Sequence, residues 1–181
     1  GRWVEIMVPT ADGEGHFCVA CLYGISGSSG NTTKRADNER LLAHAILRAA
    51  QMKDVPYVLA TDLNQNPSTS SCLSKAIEHE LLYDVVDNFF SGEPPPTFRR
   101  KNIEEGMQGD GVTRIDTVLG NPAACHLFDK CEYLYSTALA FDHTPIRCEF
   151  KLENFQQNIR TAINPSPIKL PDHRHLSQKQ R

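Results

Sequence analysis

A chain of 181 residues, 40% hydrophobic and 23% charged, has the composition of one globular domain with room for a sizeable core. Its net charge of −3 excludes a strong whole-chain attraction for nucleic acid and leaves only local patches for that purpose. No run approaches the roughly 20 apolar residues that cross a bilayer, so no membrane partner is expected.

The chain starts at Gly1 rather than Met and is strand-like from Trp3, as a fragment or processed chain would be. Residues 2–8 alternate as a strand, residues 11–15 form a Gly-containing turn, and residues 17–23 return, which predicts a hairpin. Cys18 and Cys21 form a CxxC inside that second strand. Residues three apart on a strand point to opposite faces, and no second CxxC follows, so the six cysteines are read as reduced thiols, mainly in the core. Reduced thiols fit an intracellular compartment. Residues 24–33 are rich in Gly and Ser and read as a loop.

Apolar residues at 41, 42, 45, 46, 49 and 52 predict a helix over 37–52. Residues 55–60 read as a buried strand ending just before Asp62 and Asn64. Residues 68–81 read as a second helix with Ser68 as its N-cap. Residues 83–90 are apolar and short, of either type. Pro94, Pro95 and Pro96 stop the chain, residues 97–101 read as an edge strand, and residues 102–111 as a loop. Strands follow at 113–119, 131–135 and 144–152, with a connector over 136–141. Residues 153–181 are polar, carry no apolar period and read as a flexible tail. This mixture, with at least one hairpin, predicts an α+β fold, a layered α/β sandwich.

Polar groups able to do chemistry collect where strands end. Asp62 and Asn64 close the 55–60 strand. Asp116 lies inside an apolar strand after Arg114. Asp142 and His143 open the last strand, and Tyr23 ends the second. Each has an ordinary explanation. Asp and Asn serve turns, Asp116 can pair with Arg114 on one strand face, His143 can be a hydrogen-bonded structural residue, and Tyr23 an edge aromatic. Together they supply what phosphoester hydrolysis needs. Carboxylates hold a hard cation, an Asp orients or deprotonates water, a His held by a second Asp keeps one tautomer, and amide and phenol groups donate to phosphate oxygens.

The ordered set of Tyr23, Asp62-x-Asn64, Arg114-Ile-Asp116 and Asp142-His143-x-Pro145 resembles the endonuclease/exonuclease/phosphatase superfamily, in its abasic-site exonuclease and retrotransposon endonuclease branch. Pro96-Thr97-Phe98 resembles a further strand found there. The family motifs are Gly-Asp-Phe-Asn, Arg-Ile-Asp-Tyr and Ser-Asp-His. Thr61, Leu63, Thr117 and Phe141 depart from them. The resemblance implies a DNase I-like sandwich of two sheets with outer helices, and a Mg²⁺- or Mn²⁺-dependent hydrolase. It implies a nucleic acid or other phosphoester as substrate. By position, Asp62 would orient the attacking water, Asn64 hold a phosphate oxygen, and Asp116 fix the His143 ring. His143 would contact the scissile phosphate, Tyr23 donate to it, and Asp142 lie near the metal.

The match covers residues 3–152, taken as the C-terminal portion of such a domain. The family's early Asn and metal-binding Glu come from preceding strands, so about 80–100 residues of a typical domain are expected to lie outside this sequence. Glu5 precedes Tyr23 by too little to be that Glu. Two alternatives stay open. One is a phosphomonoesterase or inositol phosphate phosphatase on the same scaffold. The other is a truncated binding domain or retroelement remnant without catalysis. Arg99, Arg100 and Lys101 form a basic run that serves either as a solvated edge or as a phosphate contact.

Overall fold

A computed structural model describes residues 1–9, 15–90, 92–99, 112–135 and 142–151. The predicted turn at 11–15 (Gly15 apart), the loop at 102–111, the connector at 136–141 and the tail at 153–181 lie outside them, as do Arg100 and Lys101.

The predicted hairpin forms from β1 (Trp3–Pro9) and β2 (His16–Tyr23), paired antiparallel. Helix α1 (Thr32–Gln51) then crosses over to β3 (Tyr57–Asp62), which runs parallel to β2, as a helical crossover requires. A 3₁₀ turn (Pro67–Thr69) leads to α2 (Ser71–Glu78), followed by the short β4 (Tyr83–Asp84) and α3 (Val85–Phe89). The chain continues through β5 (Phe98–Arg99), β6 (Val112–Thr113), β7 (Asp116–Gly120), α4 (Pro122–Cys125), β8 (Phe128–Tyr133) and β9 (Ile146–Phe150). The main sheet has five strands in the order β1-β2-β3-β7-β4, and β5-β6 and β8-β9 form two-stranded ribbons. The α+β layering expected from the sequence is present.

Alternation along the central strands divides the core in two. Cys18, Ala20, Leu22, Tyr57, Leu59 and Leu119 pack beneath Leu42, Ala45 and Ala49 of α1. Phe17, Val58 and Val118 face the other way and pack with Phe128, Cys131 and Tyr133 of β8. The CxxC splits as strand geometry demands, with Cys18 buried and Cys21 exposed. Glu5 faces α1, where its carboxylate lies 2.6 Å from the Arg48 guanidinium.

Helix starts differ from the sequence reading where capping side chains decide. α1 begins five residues earlier than its apolar face suggests, because Asn31 accepts the Lys34 N–H and caps it. α2 is capped by Ser70, which accepts the Leu73 N–H, and Ser68 lies in the preceding 3₁₀ turn. The predicted strand at 113–119 is interrupted at Arg114 and Ile115.

Candidate functional site

Three strand ends line up in one row. Tyr23 pairs with Asp62, and Asp62 pairs with Asp116, so the three side chains share a face of the sheet. Strand β3 ends at Asp62 because the acid side chain takes over its own turn. Asp62 Oδ1 accepts the Asn64 N–H at 3.0 Å, and Asn64 adopts a left-handed φ of 52°, which asparagine tolerates. Turn chemistry and site chemistry thus share the same two residues.

His143 reaches this row from elsewhere. Its backbone bridges to Phe98, and its ring meets the Phe98 ring edge-on at 5.1 Å between centroids. Its Nδ1 lies 3.0 Å from Asp116 Oδ2. Arg114 does not compete for that carboxylate. Because the strand breaks between β6 and β7, Arg114 turns away and binds Asp84 at 2.7 Å and Asp87 at 3.1 Å. This removes the ion pair with Arg114 as an explanation of Asp116.

The ligand atoms of Asp62, Asp116 and His143 all lie within 4.8 Å of one another. Asp62 has a raised pKa, first because of burial and then because of the Asp116 charge, while the Asn64 N–H and His143 pull it down. Two carboxylates held together in a half-buried place are a configuration that a divalent cation relieves. The donor set fits such an ion. The carboxylate oxygens suit Mg²⁺ or Mn²⁺. Asp142 is exposed and stands outside this cluster, its backbone carbonyl accepting the Arg99 N–H at 2.8 Å. Tyr23 is 50% exposed, its hydroxyl 3.4 Å from Ser26 Oγ and its ring under the Arg2 guanidinium. The Asn64 amide donates to the Gly24 carbonyl at 3.3 Å.

Four residues given no site role on sequence grounds hold the site in shape. Gly24 donates its N–H to the Asp62 carbonyl at 2.6 Å. A Cβ on Gly24 would stand 2.9 Å from that oxygen and closer still to the Leu63 carbonyl, so only glycine lets the two strand ends approach. Asn38, buried on α1, accepts the Ile25 N–H at 2.9 Å and donates to the Leu63 carbonyl at 2.7 Å, tying together the segments after Tyr23 and Asp62. Its place four residues before Leu42, on the apolar face, is the signal that would have marked it. Thr97 Oγ1 accepts the N–H groups of Ile115 and Asp116 at 3.0 and 2.9 Å, and its carbonyl accepts the Thr144 N–H at 2.6 Å. One buried threonine therefore joins the Asp116 strand to the His143 segment. Arg114 closes a further network through Thr117 Oγ1, which donates to Asp84 at 2.8 Å.

No protein-family model and no curated protein matches the sequence. Solved structures do match the fold. A 3′ phosphatase (NExo) from Neisseria bound to product DNA hairpin aligns with TM-score 0.61 at 19% identity, over 81% of this chain and 64% of that one. An AP endonuclease from Archaeoglobus fulgidus aligns with TM-score 0.58 at 18% identity, over 75% and 62%. An endonuclease/exonuclease/phosphatase family protein from Bacteroides thetaiotaomicron aligns with TM-score 0.57 at 15% identity, over 82% and 55%. The chain thus spans less than two thirds of the length of each.

Proposed function

We propose that this chain, which has the DNase I-like fold of the endonuclease/exonuclease/phosphatase superfamily, is part of a divalent-metal-dependent phosphoesterase whose substrate is a phosphodiester in nucleic acid. One observation carries the reading: two carboxylates and an imidazole gather within 4.8 Å at the ends of separate strands, and one carboxylate holds the imidazole at 3.0 Å. One fold neighbour is bound to a product DNA hairpin and another is an AP endonuclease, which supports nucleic acid as the substrate class.

A Mg²⁺ or Mn²⁺ ion held by the carboxylates would polarise the phosphoryl oxygen and offset charge as water adds. The protein's own groups do the rest. Asp62 orients the attacking water and accepts its proton. Asp116 accepts from His143 Nδ1 and so fixes the tautomer, leaving Nε2 for a phosphate oxygen. The Tyr23 hydroxyl, on the same sheet face, donates to a non-bridging oxygen. Asn64 joins it once substrate draws its amide from the Gly24 carbonyl.

In the full-length protein, Asp62→Asn and His143→Ala are expected to abolish hydrolysis while leaving the circular dichroism spectrum unchanged. Chelation of divalent ions abolishes it and added Mg²⁺ or Mn²⁺ restores it. Nicked DNA, abasic DNA, RNA and inositol phosphates offered side by side identify the substrate. Activity within a few-fold of wild type in either variant refutes the roles given, and turnover of inositol phosphates alone refutes the substrate.

A further inference from the structure

We propose that Cys131 and Cys148 form a site of reversible oxidative modification, a cross-strand dithiol that a low-molecular-weight disulfide converts into a disulfide across the β8-β9 ribbon. The two residues are direct partners on the antiparallel strands, and their sulfurs already lie 3.5 Å apart in a hydrogen bond. Both are free thiols.

The register favours closure. The Leu134 N–H donates to the Pro145 carbonyl at 2.9 Å, which makes 134 and 145 a hydrogen-bonded pair. Pair types alternate along an antiparallel ribbon, so 133/146 is non-hydrogen-bonded, 132/147 is hydrogen-bonded, and Cys131/Cys148 is again non-hydrogen-bonded. Such pairs place Cα atoms about 4.5 Å apart with side chains closest, within the roughly 4.4–6.8 Å that disulfides span. The sulfurs therefore join by side-chain rotation with the backbone in place. Cys18 and Cys21, closer in sequence, lie on opposite faces of β2 and lack this geometry.

The chemistry is thiol–disulfide exchange. A Cys131 thiolate attacks the small disulfide RS–SR, forming a mixed disulfide and expelling RS⁻. Cys148 loses its proton and attacks the Cys131 sulfur, forming the intramolecular bond and expelling the second RS⁻. The protein gives up two protons and two electrons, and the reagent becomes two RSH. The contact with Cys148 lowers the Cys131 thiol against the opposing effect of burial, and the same contact together with burial pushes Cys148 up, so Cys131 is the attacking sulfur and Cys148 the resolving one. Both sulfurs belong to the core layer around Val58 and Val118, and β9 starts three residues after His143. The bond fastens the ribbon that leads out of the site.

The test uses the protein with oxidised glutathione as the disulfide, followed by maleimide blocking in denaturant at once after the oxidant is removed, proteolysis and mass spectrometry. The expected product is a Cys131 peptide linked to a Cys148 peptide, lighter than the reduced pair by two hydrogen atoms, reversed by dithiothreitol, with Cys18 and Cys72 found blocked as free thiols. Uptake of glutathione by the exposed Cys21 confirms that the oxidant acted. The thermal midpoint rises by several degrees, because the link restricts the unfolded chain, and Cys148→Ser shows neither link nor rise. Maleimide on both Cys131 and Cys148 after oxidation, or separate glutathione on each, overturns the proposal. The wild-type map decides this even where the variant fails to fold.

Discussion

Gly24→Ala tests whether the site depends on the close approach of two strand ends. The substitution adds one carbon. That carbon would lie 2.5 Å from the Leu63 carbonyl carbon and 2.9 Å from the Asp62 oxygen, both backbone atoms that cannot swing aside. Ordinary contact needs about 3.5 Å or more between such atoms, so β2 and β3 must part by roughly 1 Å at this point. Three hydrogen bonds meet at Gly24. Its N–H donates to Asp62, and its carbonyl accepts from Asn64 and Arg2. Overpacking costs about 1–3 kcal/mol and each weakened hydrogen bond about 1 kcal/mol, so a loss of roughly 2–4 kcal/mol is expected. For a chain of this size that lowers the melting midpoint by about 5–15 °C. Asp62 moves with the strand end, so Mn²⁺ affinity, read by calorimetry below the melting range, falls about tenfold or more. A Gly24→Ala protein that melts within a degree of wild type and binds Mn²⁺ equally well would show that the strand ends are not held as described.

Further tests address charge and buried polar groups. Asp62 has a folded pKa above its ordinary 3.8. The folded state therefore binds more protons than the unfolded chain just above that value, so the group's contribution is fully present at lower pH and lost as pH rises through the raised pKa. The metal-free Asp62→Asn protein should consequently be more stable than wild type at pH 7, and the advantage should vanish in acid. Added Mn²⁺ should raise the wild-type midpoint alone. Equal midpoints without metal at pH 7 would contradict the crowded-carboxylate picture. Thr97→Val keeps the side-chain shape but leaves the Ile115 and Asp116 N–H groups without their acceptor. A loss of about 2–4 kcal/mol is expected in urea denaturation, and a loss under 0.5 kcal/mol argues against Thr97 as the joint between the two segments. Arg114→Leu strands the buried Asp84 carboxylate, whose side chain is only 5% exposed. That should cost about 3–5 kcal/mol, much of it recovered by adding Asp84→Asn. A double variant no better than the single one would mean that charge burial is not the cause.

The sequence by itself determined the parts that depend on local physics. Alternation placed β1, apolar runs placed β2 and β3, and strand geometry separated Cys18 from Cys21. The apolar spacing from Leu41 to Met52 marked α1, and the clustering of acids, amide and imidazole at strand ends marked Asp62, Asn64, Asp116 and His143 as chemically notable. Local signals also misled where a neighbouring side chain competed. Asn31 and Ser70 took the capping roles, since a cap is decided by which oxygen reaches a free N–H. The partners of Asp116 were open on sequence grounds, because Arg114 and His143 both suit a carboxylate. Only the break between β6 and β7 turned Arg114 towards Asp84 and left Asp116 to His143. The tertiary structure likewise decided that Glu5 serves Arg48, that Asp142 stands apart from the Asp62 cluster, and that Gly24, Asn38 and Thr97 brace it. These outcomes rest on distances between residues tens of positions apart in the chain. Such distances follow from how the strands are ordered and registered, which no local pattern encodes.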